Sequence, residues 1–236
     1  MTSSNSEAGS RIHLNRDVIV RCAIAIADAE GIDAITIRRL AQELNVTAMA
    51  PYRHFRDKED LLNGIAEQLL AEIDLPKTIS RTWDQELAQV LSQLVAALRL
   101  HPNVAELVLT RVLLSTPGLS LAEHVFKLLT DAGFQSEQVG QIGSYALSSL
   151  VALVTTQPGA VTNPDPEFRD ALLRKKRISL ASLSPRHYPH IVAAADTLVS
   201  CTDDDSYYAL GVKLVIEGIK GIRSDLSTQT ASICDG

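Results

Sequence analysis

The 236-residue sequence lacks the features that define several large classes of protein. It has only three cysteines, Cys22, Cys201 and Cys234, with no CxxC spacing, which argues against a disulfide framework and fits a reducing compartment. It has no GxSxG, HExxH, GxGxxG or P-loop pattern, so we expect no catalytic site, no cofactor and no metal site. It also lacks an excess of positive charge, because its formal net charge is −6. Any anionic partner must therefore be met by a local basic patch.

Long apolar runs are missing as well. The most apolar stretch, YALSSLVALV at residues 145–154, is far shorter than the ~20 residues that a membrane helix needs. The first residues, MTSSNSEAGSR, are polar and lack the apolar stretch of a signal peptide. We therefore expect a soluble cytoplasmic protein without a membrane partner. Its hydrophobic fraction of 46% is enough for a sizeable core.

Apolar residues recur mainly at intervals of three and four rather than in alternation, and this pattern predicts an all-α fold. Thr82 and Gln85 form a predicted capping box for a helix that runs to about Leu100. A loop rich in proline and glycine is expected at QPGAVTNPDPE. The later helices are predicted at about 103–114, 120–131, 137–156, 167–177, 190–200 and 205–225.

The N-terminal part has clear signals for the ends of helices. Asn15 is a predicted cap for the first helix, and Gly31 supplies its stop. Thr36 caps a short second helix that runs to Leu44. Asn45 follows in a tight turn, where its short polar side chain tolerates a positive φ.

A third short helix is predicted from the cap Thr47 to about Phe55, and Asp57 caps a fourth helix. Pro51 falls in the first turns of the third helix, so it removes at most one intrahelical hydrogen bond and tightens or displaces that turn. Two short helices joined by a tight turn after a longer one predict a helix-turn-helix unit.

This unit carries a local excess of positive charge. Between residues 36 and 58 the acidic residues are Glu43 and Asp57, so the segment is locally +3. The cations are Arg38, Arg39, Arg53, Arg56 and Lys58. Double-stranded DNA is the partner that such a patch on a helix-turn-helix unit indicates.

A major groove admits one helix, whose first turns face the base edges while flanking cations hold the phosphates. Small side chains at Ala48, Met49 and Ala50 allow close approach, and Arg53 and Arg38 are candidates for contact with guanine or phosphate. The predicted DNA-binding residues are Thr36, Arg38, Thr47, Ala48, Met49, Ala50, Tyr52, Arg53, His54 and Lys58.

The stretch TIRRLAQELNVTAMAPYRHFRDKEDLL resembles the DNA-binding signature of the tetracycline-repressor (TetR) family, with order and spacing preserved over residues 15–65. The residues that carry the resemblance are Thr36, Leu40, Ala41, Val46, Tyr52, His54, Phe55, Lys58, Leu61 and Leu62. Segments 82–109, 128–151 and 207–222 are similar to the C-terminal domain of the tetracycline-repressor type.

The resemblance implies a homodimer paired through a four-helix bundle, with a pocket for a small-molecule effector in each larger domain. It also implies a ligand-responsive transcriptional regulator, a repressor that an inducer releases from a palindromic operator. The implied division of the chain is a flexible arm at 1–13, a helix-turn-helix domain at 14–62, a ligand-binding and dimerisation domain at 63–228 and a flexible tail at 229–236.

Two positions depart from the family pattern. Pro51 stands where the recognition helix usually has leucine, so base contacts do not transfer directly. Val108 and Arg111 occupy the positions of a metal-ligating histidine and a threonine in the tetracycline site, so magnesium-tetracycline is not the expected ligand.

Two apolar stripes suit a self-complementary helical interface, and glycines within helices suggest close approach. The predicted interface residues are Val139, Ile142, Ala146, Leu150, Gly211, Leu214, Gly218 and Ile222. Packing of both stripes within one chain is the alternative. Residues that mix apolar bulk with polar groups suit an effector that is largely apolar. The predicted pocket residues are Trp83, Leu87, Leu94, His101, Leu107, Arg111, Phe126, Tyr145 and Ser149.

Three functional alternatives stay open at this point. A catalytic helical domain would turn over its bound ligand. An architectural DNA-binding protein would bind without sequence preference. A corepressor-type regulator would bind its operator more tightly when the effector is present.

Overall fold

The computed structural model describes residues 13–75, 81–158, 165–200 and 203–234, with side chains as far as Ser224. Over these residues the regular structure is helical, as predicted. The helices are α1 (Arg16–Glu30), α2 (Ile37–Glu43), α3 (Lys58–Ala71), α4 (Trp83–Arg99), α5 (Glu106–Arg111), α6 (Thr116–Asp131), α7 (Ser136–Thr155), α8 (Pro166–Ala181), α9 (Pro189–Ala193), α10 (Ala195–Val199) and α11 (Asp204–Cys234). Most of the predicted arm and residues 159–164 of the predicted loop lie outside the described ranges.

The caps of the N-terminal helices are those that the sequence predicts. The Asn15 side chain accepts a hydrogen bond from the Val18 amide at 2.8 Å, and Gly31 ends α1 with φ +88°. The Thr36 hydroxyl accepts from the Arg39 amide, and the Asp57 carboxylate accepts from the Asp60 amide. Asn45 has φ +52° at the tight turn after α2.

The predicted third helix is not an α-helix, which corrects the sequence-based expectation. Residues Pro51–Arg53 form one 3₁₀ turn, after a turn at residues 47–50. The bonds run from Ala50 N to Thr47 O and from Arg53 N to Ala50 O, at 2.9 and 3.2 Å. An α-helix from Thr47 needs an amide at Pro51, which proline lacks, so the segment winds more tightly.

Pro51 and Phe55 are buried. The Phe55 ring lies against Arg16 of α1 and Gly64 of α3, and the 3₁₀ turn contacts α2. The shared core of this N-terminal unit includes Ile19, Leu40 and Ile65. The segment is therefore held by its inward side chains rather than by a long helical hydrogen-bond ladder.

The larger domain packs α4, α6 and α7 together, with α11 against α4 and α7. The helix α3 extends from Lys58 to Ala71 and contacts α1, α5 and α6. The boundary expected between residues 62 and 63 thus falls inside one continuous helix. The helix α11 continues to Cys234, beyond the expected start of a flexible tail at residue 229.

Three other local predictions change. Thr82 precedes α4 but makes no capping bond with its side chain; its hydroxyl bonds instead to the Asp84 carboxylate. The helix predicted at 120–131 begins earlier, at Thr116, because the Ser115 hydroxyl caps it by accepting from the Gly118 amide at 3.2 Å. The helix predicted at 190–200 is divided into α9 and α10 at Ala194.

Across the described ranges, no single helix has both the length and the apolar composition of a membrane span. The segments Pro102–Leu114 and Thr116–Asp131 meet those criteria only jointly, and they bend by 79° at the break between them.

Gly118 permits the first turn of α6 to approach the backbone of Val112 closely, and its replacement by alanine should destabilise the fold. A Cβ atom there would lie 1.8 Å from the Val112 carbonyl oxygen, so the backbone must shift at a cost of about 1–3 kcal/mol. Gly140→Ala is the matched control, because no atom lies within 4 Å of its added Cβ, and it should stabilise α7 by about 0.5–1 kcal/mol. Denaturant unfolding measures both changes, and equal unfolding free energies would contradict this packing.

Candidate nucleic-acid interface and apolar cavity

The predicted DNA-binding residues lie on α2, on the short segment after it and at the start of α3. Eight of the ten are exposed, and Ala50 and His54 are half-buried. Met49 and Tyr52 are 68% and 47% exposed, which is unusual for side chains of their size. Because Pro51 points into the core, the residue that departs from the family pattern is not itself on the outer face.

The cations of this surface differ in their partners. Arg39 is held by Glu30 at 2.6 Å and Glu43 at 2.7 Å, and the bond to Glu30 is the main cause that raises its pKa. Within the described part of the chain, neither Arg38 nor Arg53 takes part in an ion pair. The same holds for Lys58. These three side chains are therefore available to an external anion, whereas Arg39 is occupied within the fold.

Sequence reasoning missed Arg16, the first residue of α1. Its guanidinium donates to the His54 carbonyl oxygen at 3.1 Å and to Asp60 Oδ1 at 3.0 Å. It also lies 4.2 Å from the centre of the Phe55 ring. Arg16 thus joins α1, the end of the exposed segment and α3, although 38 residues of sequence separate it from His54.

Seven of the eight predicted interface residues line an open apolar groove between α7 and α11. Val139 lies outside this groove and packs in the core of the chain. The glycine at position 211 is explained by packing within one chain, since a Cβ atom added there would lie 2.4 Å from the Leu153 side chain. Leu214 is 65% exposed, and a Cβ on Gly218 would meet open space. The outer part of the groove is therefore apolar and uncovered in a single chain.

A second apolar space of about 240 Å³ lies between α4, α5, α6 and α7. Its lining is almost entirely apolar, with Ser144 as a polar contributor. The lining residues that set its character are Val90, Leu94, Val112, Leu121, Phe126 and Ser144. Gly143 lets the Phe126 ring approach α7, because a Cβ there would lie 2.6 Å from it.

Only Leu94 and Phe126 of the predicted pocket residues line this cavity. Tyr145 and Ser149 line the outer groove instead, because they lie on the opposite face of α7. The sequence pattern did not predict that Val112 and its neighbours line the cavity. They follow α5 in a 3₁₀ turn, where the periodicity of an α-helix does not apply.

Three further pocket predictions fall in the ordinary core of the larger domain. Leu87 and Leu107 are buried, and neither lines the cavity. Trp83 packs edge-to-face against Phe134, with ring centres 6.2 Å apart. Leu87 and Leu107 thus lie in the core and Trp83 is partly buried against it, away from the lining of this cavity.

His101 and Arg111 instead connect the larger domain to the N-terminal unit. His101 Nδ1 lies 2.7 Å from Asp28 on α1, and Arg111 donates to Glu59 on α3 at 2.7 Å. Asn103 adds a bond to the Ala27 carbonyl oxygen at 2.9 Å. A polar residue among apolar ones suggested a ligand contact, whereas in the structure His101 and Arg111 contact carboxylates of distant helices.

A buried polar pair lies near the cavity. His124 Nε2 on α6 is 3.0 Å from Glu86 Oε1 on α4, one helical turn before the cavity residue Val90. Both atoms are buried and face each other without the geometry of a hydrogen bond. Within the described residues, no group of three or more His, Cys, Asp or Glu side chains has a metal-binding arrangement.

An exposed cationic surface after a tight helix-turn, joined by ion pairs to a helical domain with an apolar cavity, defines a helix-turn-helix regulator of transcription. Residues 19–65 match the family described as "Bacterial regulatory proteins, tetR family". Residues 75–223 match "Tetracyclin repressor-like, C-terminal domain". The chain belongs to the TetR family, and it is a ligand-responsive transcriptional repressor of the tetracycline-repressor type.

Individual relatives agree with this assignment. An "HTH-type transcriptional regulator" of Saccharopolyspora erythraea is 28% identical over 61% of this chain, and the match spans 61% of that relative. The tetracycline repressor protein class A from transposon 1721 of Escherichia coli is 24% identical, with 87% and 90% covered. The crystal structure of ActR from Streptomyces coelicolor in complex with actinorhodin is 27% identical, with a TM-score of 0.69 over 88% of this chain and 96% of that one.

Proposed function

We propose that this chain is a homodimeric repressor that binds a palindromic operator and is released by a small, largely apolar effector. The observation that carries the proposal is the outward surface of residues 47–53, where exposed Met49 and Tyr52 lie beside Arg53, a cation with no ion pair among the described residues. A surface of this kind suits the major groove, with a second copy on the next turn of the same DNA face.

In the complex, Ala48, Met49 and Ala50 approach base edges, where small or flexible apolar side chains can contact thymine methyl groups. Arg38 and Arg53 supply bidentate donors for guanine or phosphate. The phosphate contacts come from Thr36, Thr47, Tyr52, His54 and Lys58. Because Arg39 is occupied by two carboxylates, it does not belong to this set.

The effector occupies the cavity beside Phe126 and Ser144. An almost wholly apolar lining disfavours a charged ligand, since burial of an unpaired charge is costly. The volume of about 240 Å³ suits a small molecule with few polar groups. Val108 and Arg111 stand where the tetracycline site has a metal ligand and a threonine, so the effector differs from magnesium-tetracycline.

Arg111 provides a route from the cavity to the DNA-binding surface. It precedes Val112, a cavity residue, and its guanidinium holds Glu59 in the first turn of α3. An effector that binds better when this segment is displaced also displaces α3 and the surface attached to it. Differential affinity of this kind lowers operator affinity, whereas an effector with equal affinity for both states changes nothing.

The outer groove between α7 and α11 pairs with the same groove of a second copy, which gives a four-helix interface.

The chain acts in the cytoplasm and catalyses no reaction. Turnover of a bound effector would overturn the second of these statements.

Selection of duplexes from a random DNA pool by the full chain tests this function. We expect a palindrome whose half-site centres lie about 34–36 Å apart or a multiple of that distance. Uncharged apolar compounds should then release the labelled duplex in a fluorescence anisotropy titration. Binding without sequence preference would instead indicate an architectural protein, and an effector that tightens binding would indicate a corepressor-type regulator.

A further inference from the structure

The exposed segment between α2 and α3 makes only short-range backbone hydrogen bonds of its own: Ala50 N bonds to Thr47 O, Arg53 N to Ala50 O, and both His54 N and Phe55 N to Pro51 O. Pro51 lacks the amide that would continue an α-helix from Thr47, and only one 3₁₀ turn forms. The last carbonyl groups of such a turn need partners outside it. The orientation of the segment is therefore set by what holds its end.

Arg16 supplies such a partner at the end of the segment. It donates to the His54 carbonyl oxygen at 3.1 Å, and its guanidinium lies over the Phe55 ring at 4.2 Å. Its second donor group reaches Asp60 Oδ1 at 3.0 Å. One planar side chain thus fixes both the carbonyl that ends the segment and the aromatic ring that anchors it.

Asp60 completes the arrangement from α3. Its other carboxylate oxygen accepts from the Arg56 amide at 3.1 Å, just after Phe55. This backbone bond is the main cause that lowers the pKa of Asp60, followed by the bond from Arg16. The side chain of Asp60 is only 16% exposed, and its bond to Arg16 is partly buried.

We propose that Arg16 and Asp60 act together as positioning residues that set the angle of the DNA-reading segment, in place of the helical hydrogen bond that Pro51 removes. This inference rests on the proposed operator binding. Neither residue needs to touch DNA for the effect, because both act through the backbone at His54 and Arg56.

The sign of the Asp60 effect distinguishes positioning from simple electrostatics. Asp60→Asn removes a negative charge close to a DNA-binding surface, so electrostatics alone predicts tighter binding. Asparagine has a single acceptor oxygen, so Asp60→Asn also loses one of the two bonds, from Arg16 or from the Arg56 amide, and this loss predicts weaker operator binding instead. We expect Asp60→Asn and Arg16→Gln each to lower operator affinity about tenfold.

The experiment measures fluorescence anisotropy of the full chain with two duplexes, the one selected from a random pool and a scrambled one of equal length. Both variants should lose affinity for the selected duplex while affinity for the scrambled duplex stays nearly constant. The double variant should bind no more weakly than either single variant, since both remove the same arrangement. Sedimentation and thermal unfolding check that each variant remains folded with unchanged association.

Two exposed residues of α1 provide matched controls. Arg21→Gln removes the same charge as Arg16→Gln, and Asp17→Asn removes a carboxylate next to Arg16. Both controls should keep the ratio of the two affinities. Wild-type or tighter binding by Asp60→Asn would overturn the proposal. A direct phosphate contact by Arg16 would also overturn it. In that case Arg16→Gln would lose affinity equally for both duplexes, and the slope of log affinity against log salt concentration would fall in magnitude by about 0.9. Failure of the proposed function is distinct, because the wild-type chain would then show no preference between the duplexes.

Discussion

Replacing Leu214 by glutamate should convert the dimer to monomers and lower operator affinity about a hundredfold or more. Leu214 is 65% exposed in one chain and stands in the apolar groove between α7 and α11. In a two-fold interface the new carboxylate appears twice and loses its water without gaining a partner, which is costly. Each monomer then binds a single half-site, so the gain from linking two DNA-binding units is lost.

Sedimentation velocity measures the association state, and anisotropy measures binding to the selected duplex. Leu119→Glu is the matched control, since Leu119 is 52% exposed on α6 and lies outside the groove. The control should remain dimeric and bind as the wild type does. If Leu214→Glu sedimented as the wild type does, the groove would not be the dimer interface.

Arg38→Ala should lower operator affinity by about 1–3 kcal/mol and relax the sequence preference at one position in each half-site. The side chain is exposed in the first turn of α2 and has no ion-pair partner among the described residues. Its loss therefore removes an intermolecular contact without breaking an intramolecular one. Tyr52→Ala should weaken binding more evenly across sequences, as a contact to the phosphate backbone does.

Arg174→Ala is the matched control for charge, because Arg174 is exposed in the cluster RKKR on α8. Binding of this variant should equal that of the wild type. An equal loss from Arg174→Ala would make the cluster on α8 a second DNA contact. Unchanged affinity in both Arg38→Ala and Tyr52→Ala would contradict the assigned contact surface.

The local features of the N-terminal unit follow from short stretches of sequence. Asn15, Thr36 and Asp57 each bond to an amide three residues ahead, so a cap and its partner occur in one short segment. The positive φ of Asn45 is likewise a property of the residue and its turn. Such features need no knowledge of the tertiary fold.

The conformation around Pro51 was harder to predict. The sequence showed that one amide was missing, but not that the whole segment would become a single 3₁₀ turn. A helix this short has few hydrogen bonds to lose, so the choice between an α-helix and a 3₁₀ turn depends on how Pro51 and Phe55 fit the core. Packing decides such cases, and packing is not local.

Ion pairs between residues far apart in sequence explain why the positions of Arg111, His101 and Arg16 differ from the sequence-based prediction. Arg111 and His101 each lie among apolar residues, which suggested a ligand site, whereas their partners are Glu59 and Asp28, 52 and 73 residues away in sequence. Arg16 was missed for the same reason. One sequence without a fold gives no signal for contacts at such separation.

Methylation interference on the selected duplex tests the central claim, that the segment after Asn45 enters the major groove. Dimethyl sulfate modifies guanine N7, which lies in the major groove, and adenine N3, which lies in the minor groove. We predict that guanine N7 methylation blocks binding in two patches on one DNA face, whose centres are about 10–10.5 base pairs or a multiple apart. Interference from adenine N3 methylation alone, or in a single patch, would contradict the account.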